Sequence, residues 1–175
     1  PFAIVRDKIP IYSVDVSYMM SDDVGYIKIS NFALTTHDEF KKGLNELKGQ
    51  GMKKLILDLR GNSGGVMDAA TMIADEFLPT GQLIVFTLGK SKPRQDVRAT
   101  SDGEFEKGDL VILIDEWSAS ASEILAGAVQ DNDRGTIIGR RSFGKGLVQE
   151  PVSFRDGSGM RLTIARYYTP TGRSI

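Results

Sequence analysis

Hydrophobic and polar positions along this chain change period several times, and each change marks an element. Val14, Val16 and Tyr18 alternate with polar residues, and a second run, Val24–Ser30, follows the Asp22-Asp23 turn signal, which predicts a β-hairpin or two adjacent strands. Thr35–Glu39 opens a helix in which Thr36 and Glu39 match a T-x-x-E capping box. Phe40, Leu44 and Leu47 continue it at helical spacing, and Gly49-Gln50-Gly51 ends it. Lys53–Leu59 is a short β-rich run between a basic start and a glycine-rich loop and predicts a buried, parallel strand. Val66–Leu78 predicts a second helix, stopped by Pro79 and Gly81, and Gln82–Leu88 a third core strand. Gly89–Gly108 is polar and predicts a flexible loop or an exposed hairpin. Leu110–Ile114 predicts a buried strand, Ser120–Val129 a helix rich in small residues, and Thr136–Gly139 another strand. Leu147–Phe154 and Met160–Tyr168 alternate like an antiparallel pair joined by the turn Arg155–Gly159. The order β-α-β-α-β-β-α-β points to an α/β fold with antiparallel additions.

Composition narrows the chemistry. With 22 Lys+Arg against 23 Asp+Glu the net charge is −1, so nothing in the charge balance favours a nucleic-acid partner or an anionic membrane. The length of 175 residues fits one domain. No apolar run approaches a membrane span, and no signal peptide is present. There is no cysteine and one histidine, His37. This excludes disulfide frameworks, thiol nucleophiles and multi-histidine metal centres. Asp22-Asp23 has no third ligand at a recognisable spacing. His37 sits in a polar helix start and is expected at the surface, so a general base is sought among Lys, Asp and Glu.

Three stretches could carry chemistry. In Leu57–Gly65 a strand enters a glycine-rich turn before a helix, where main-chain N–H groups could hold an anion or a developing oxyanion; the plain alternative is a tight strand-to-helix turn. Trp117–Glu123 places three serines at a helix entrance. Ser120 and Glu123 match a capping box, yet a serine at such a corner also fits a nucleophile elbow, with the Ala121 amide supporting an oxyanion. Trp117 is expected in the core or in a pocket wall. Gly139–Lys145 matches G-x-x-x-x-G-K, but Gly146 stands where a magnesium-binding Ser/Thr belongs, and a Pro151-containing β-like run follows in place of a helix, which speaks against nucleotide binding. Lys145, between glycines and followed by apolar residues, fits a lysine held in a dry pocket, though a solvated loop lysine is the ordinary case. Without a usable histidine, a serine and a lysine together can still perform acyl transfer.

The segments LDLRGNSGG (57–65), SASASEILAGAVQD (118–131), GRRSFGKGLVQ (139–149) and ARYYTPTGRSI (165–175) together resemble the catalytic core of the carboxyl-terminal processing (tail-specific) serine proteases, in the family's order. The resemblance implies a Clp-protease/crotonase-like β-β-α superhelix. It implies Ser120 as nucleophile, Lys145 as general base and Gln149 as the residue that orients the lysine by a hydrogen bond. Gly65 and Ala121 would offer the oxyanion amides, and Asp131 matches an accessory carboxylate. No metal and no cofactor are implied. The implied partners are the C-termini of protein or peptide substrates, a PDZ domain in the parent protein and further copies in a homo-oligomer, in the periplasm or cell envelope. By this resemblance residues 1–175 are a peptidase core excised from a longer chain, without its PDZ domain. The other readings are a non-catalytic peptide-binding scaffold of the same fold, a nucleotide-binding module, and a crotonase-type acyl-CoA enzyme.

Overall fold

A computed structural model describes residues 12–100 and 103–175. Strands β1 (Val14–Met19) and β2 (Val24–Ile29) form the predicted antiparallel hairpin. Helix α1 (Thr36–Gly49) leads to β3 (Lys54–Asp58), which lies parallel to β2. After α2 (Met67–Asp75) come β4 (Leu83–Leu88), β5 (Gln95–Arg98) and β6 (Asp109–Ile114); then α3 (Ala121–Asp131), β7 (Thr136–Gly139), β8 (Leu147–Ser153) and β9 (Gly159–Tyr168). They build two sheets, a five-stranded one in the order β1-β2-β3-β6-β7 and a four-stranded one in the order β5-β4-β9-β8.

The larger sheet is parallel from β2 to β7. Its inward side chains, Ile27, Ile29, Leu55, Leu57 and Ile112, meet Phe40 and Leu44 of α1, Ile73 of α2 and Ile124 and Leu125 of α3, all fully enclosed. This is the 3.6-residue stripe of each helix closing on the two-residue period of the strands. Phe77 stands edge-on between Phe40 and Phe105, with ring centroids at 5.7 and 6.4 Å.

Two elements depart from expectation. Gln82–Leu88 holds a strand, but β4 joins the second sheet, pairing with β5 and β9, rather than the parallel one. A run buried on both faces reads alike in either sheet; what places β4 is its stacking of Phe86 on Tyr168 (5.0 Å) and the Arg94 guanidinium over Phe86 (3.8 Å). In α1 the N-cap is Thr35, not Thr36. Thr36 is enclosed and its hydroxyl accepts the Ala33 N–H (2.7 Å), while Glu39 accepts the Thr35 hydroxyl (2.7 Å) and the Ser13 and Val14 amides (2.7 and 3.0 Å), tying the helix to β1.

Candidate active site

The corner between β6 and α3 is held in an unusual backbone state. Ser120 has φ 54° and ψ −111°, and among the described residues only Asp133 shares a positive φ without being glycine. A side chain in this region costs roughly 1–3 kcal/mol and persists only where the surroundings enforce it. The enforcement is visible. Asp115 accepts the Trp117 and Ser118 amides (3.0 and 3.1 Å), the Ser118 hydroxyl donates to the Leu59 carbonyl (2.8 Å), and the Ala119 amide and Ser122 hydroxyl both donate to the Asn62 carbonyl (3.0 and 2.9 Å). The corner is thus pinned to the glycine loop after β3.

That loop is shaped by Asn62, which is fully buried, donates to the Ile29 carbonyl (3.0 Å) and accepts the Gly64 amide (2.9 Å). Gly64 has φ +98°, and a Cβ there would lie 2.7 Å from the Ala119 oxygen, 2.8 Å from Ser120 Cβ and 3.1 Å from the Ala121 nitrogen. The Gly64–Gly65 peptide therefore runs alongside the Ala121 amide. Neither the Gly65 nor the Ala121 N–H has an acceptor among the described residues. Two adjacent, unclaimed amides beside a strained serine are the geometry an oxyanion requires. Gly64→Ala is expected to push the loop off the serine corner, destabilising the fold by about 2 kcal/mol and lowering turnover at least tenfold. Thermal unfolding and peptide hydrolysis measured together check it.

Lys145 arrives on the β7–β8 loop. The Phe143 amide donates to the Ser118 carbonyl (3.0 Å). The Glu123 carboxylate, on a residue only 7% exposed, accepts three amides: Ser120 (2.8 Å) and Lys145 (2.8 Å) on Oε2, and Gly144 (2.6 Å) on Oε1. So Glu123 does more than cap α3, because the same oxygen holds the main chain of Ser120 and of Lys145. The Lys145 side chain itself is exposed, contrary to the dry pocket expected from its apolar followers, since Leu147 on β8 is half in solvent. No hydrogen bond joins its ammonium to the Ser120 hydroxyl or to Gln149, whose amide instead faces Thr163 Oγ1 (3.4 Å) across β8 and β9. Gln149 follows a bulge at Val148, which turns it toward the β9 partner.

Other expected residues fall elsewhere. Asp131 ends α3, about 15 Å along the axis from its first residue, so it is not beside Ser120. It accepts the Thr171 amide and hydroxyl (3.1 and 2.6 Å) and pairs with Arg173, clamping the 169–173 turn; burial raises its pKa, but these partners outweigh that and hold it low. His37 is mostly buried rather than at the surface, with Nε2 2.9 Å from Glu76, whose carboxylate also accepts the Glu104 amide (2.9 Å). Trp117 is exposed, which excludes the core, one of its two expected places, and leaves the other, a pocket wall. The run Gly139–Lys145 leads into β8, with no helix start to receive a phosphate. Among the described residues no cluster of His, Cys, Asp or Glu could hold a metal.

Residue-pattern reasoning passed over Asp58, whose carboxylate is 1% exposed at the start of the glycine loop. It accepts the Tyr26 hydroxyl (2.6 Å), the Arg60 amide (2.9 Å) and the Arg60 guanidinium (2.7 and 3.0 Å). Burial pushes its pKa up, but Arg60 and Tyr26 outweigh burial and hold it at about 2, below its ordinary 3.8. Burial and the neighbouring carboxylate push Tyr26 up to about 12. Because the folded pKa of Asp58 is depressed, its contribution is present above about pH 4 and fades as pH falls toward 2. The part attributable to Asp58 is about 2 kcal/mol. Urea unfolding of Asp58→Asn is expected to lack that share of the acid-side decline, on top of a loss of about 3 kcal/mol at neutral pH.

Residues 23–175 match the model of peptidase family S41. The chain belongs to peptidase family S41. Curated S41-type relatives include the carboxyl-terminal-processing proteases of Synechocystis sp., 41% identical over 152 residues (87% of this chain, 35% of the relative), and of Picosynechococcus sp., 38% identical over 175 residues (98% and 42%). A probable CtpA-like serine protease of Staphylococcus aureus is 38% identical over 174 residues (98% and 34%). Among solved structures, a photosystem II D1 C-terminal processing protease superposes with a TM-score of 0.86 at 34% identity, covering 98% of this chain and 47% of that one. A putative S41 protease from Bacteroides fragilis shares the fold at 15% identity with a TM-score of 0.76 over 95% of this chain and 49% of that one. The fold is accordingly the Clp-protease/crotonase-like α/β class expected from the sequence. The chain spans 35% to 42% of the length of the first two curated relatives.

Proposed function

We propose that this chain is the catalytic core of a C-terminal processing serine peptidase working through a Ser120–Lys145 dyad. The observation that carries the proposal is the strained Ser120 corner beside the free Gly65 and Ala121 amides, bound through Glu123 to the Lys145 loop. Neutral Lys145 takes the Ser120 proton as Oγ attacks the scissile carbonyl carbon. The negative oxygen rests on the two amides. As the C–N bond breaks, Lys145 returns the proton to the leaving amine. Water then attacks the acyl-enzyme, giving its proton to Lys145, and Ser120 is regenerated as the new C-terminus departs. Gln149 orients the lysine by a hydrogen bond in the substrate complex, and Asp131 supports the site only through the position of α3.

The substrates on this proposal are protein C-termini, as the names of the relatives indicate for those proteins. The relatives extend well beyond the matched span, which leaves room for a PDZ domain, and we place the parent protein in the cell envelope, able to associate with further copies. Among the described residues no helix is long and apolar enough to cross a membrane. The absence of a Ser120–Lys145 hydrogen bond favours one second reading, a non-catalytic peptide-binding scaffold. A small fluorophosphonate probe separates the two. Covalent labelling at Ser120 of the full-length protein, lost on Lys145→Ala, supports the peptidase; peptide binding with no labelling and no cleavage supports the scaffold.

A further inference from the structure

Leu34 (85% exposed), Trp117 (64%) and Phe143 (63%) are, with Tyr12, the most exposed large apolar side chains among the described residues. Two of these four, Trp117 and Phe143, stand on the two loops that carry Ser120 and Lys145, and Leu34 stands on the loop that pairs with the glycine loop. Leu34 lies two residues beyond Phe32, which is paired with Gly65. Trp117 precedes Ser120 by three residues, so their Cα atoms are within about 11 Å by chain length alone. Phe143 precedes Lys145 by two, and its amide donates to the Ser118 carbonyl (3.0 Å), which brings its main chain beside the residue that follows Trp117. Of the charges beside them, Arg140 donates to Glu116 at 2.9 Å, while Arg141 is exposed. Exposed aromatic surface is unfavourable in water and concentrates where a partner covers it. Here it stands on the loops that carry the serine and the lysine.

We infer that Trp117 and Phe143 form an apolar clamp for one side chain of the substrate peptide beside the scissile bond. This rests on the peptidase reading of Ser120. An extended peptide whose carbonyl carbon sits at Ser120 Oγ and whose oxygen meets the Gly65 and Ala121 amides advances about 3.3 Å per residue. A side chain within two or three positions of the scissile bond therefore comes over the clamp. The clamp selects large apolar side chains at that position, because they cover the two exposed aromatic rings.

Trp117 is the only tryptophan of these 175 residues, and its own emission can report on it. With the full-length Ser120→Ala protein, peptides carrying Leu or Phe at single positions around the scissile bond should shift tryptophan emission to shorter wavelength and saturate, and adding Trp117→Phe should abolish that shift. Peptides with Ser or Asp at the responsive position should not. In the active protein, Trp117→Ala should raise KM for the apolar peptide about tenfold, or about 1.4 kcal/mol, with kcat nearly kept, and should erase the preference for Leu over Ser. Trp117→Phe should restore most of both. A parent protein that labels with the fluorophosphonate and cleaves peptide, but whose KM and Leu/Ser preference ignore Trp117→Ala and Phe143→Ala, overturns the clamp and leaves the peptidase standing. Failure of the parent to label or cleave counts against the peptidase reading itself, and an emission shift with apolar peptides that Trp117→Phe abolishes would then still identify Trp117 as a binding residue.

Discussion

Ser120→Ala is expected to lower kcat/KM for peptide hydrolysis by about 10⁴-fold or more while leaving a folded protein. Alanine keeps the Cβ and therefore the same backbone penalty at φ 54°; only the nucleophilic oxygen goes. Lys145→Ala should fall to a similar floor, and the double variant should fall no further, because a nucleophile and its base act as one unit. Hydrolysis, fluorophosphonate labelling and circular dichroism of the three variants check this. A double variant that loses the product of the two single losses would mean that the residues act independently. Ser120→Gly gives an independent view of the strain. Glycine enters this region freely, so the inactive variant should be more stable than the parent by about 1 kcal/mol. A corner built only to cap a helix would gain nothing from that exchange, because an N-cap serine normally sits in relaxed extended backbone.

Much of this was legible in the residues, and what was not has a physical reason. The helices and the parallel strands follow from period: Phe40, Leu44 and Leu47 mark α1, and Leu55 and Leu57 mark the inward face of β3. The sheet assignment of β4 was not legible, because it depends on Phe86 stacking on Tyr168, a contact between residues far apart in sequence. Ser120 could be found from its place at a strand-to-helix corner, but its positive φ could not, since it is imposed by hydrogen bonds from the glycine loop to residues 118–122. Asp58 was passed over, because its burial and its Tyr26 partner on the adjacent strand come only with the fold. His37, in a polar stretch, was hidden from view by the same limitation: the Glu76 that covers it lies on a different helix end.

Glu123 is where a local motif and a long-range one coincide, and its replacement should have the second largest effect. Three residues after Ser120 it reads as a helix cap, and its bond to the Ser120 amide is that cap. Its bonds to Gly144 and Lys145 reach across more than twenty residues and fix the Lys145 main chain relative to Ser120. Glu123→Ala leaves three N–H groups without a partner, each costing about 1–3 kcal/mol if it stays dry. The Lys145 loop has the easier escape, because it can swing into water, so most of the loss should appear as misplacement of the lysine rather than as unfolding. The expected result is a drop in kcat of about 10²-fold or more, as for a misplaced catalytic group, with a melting temperature lowered by only several degrees. Glu123→Gln tests the argument at constant shape. Its single carbonyl oxygen can serve Ser120 and Lys145 at the Oε2 position, but its NH₂ then faces the Gly144 donor, so it should fall between alanine and the parent. Fluorophosphonate labelling of Ser120 should slow in the same order, since that reaction also needs Lys145 in place. Equal labelling rates in all three proteins, with the same order of melting temperatures, would make Glu123 a cap of α3 and nothing more.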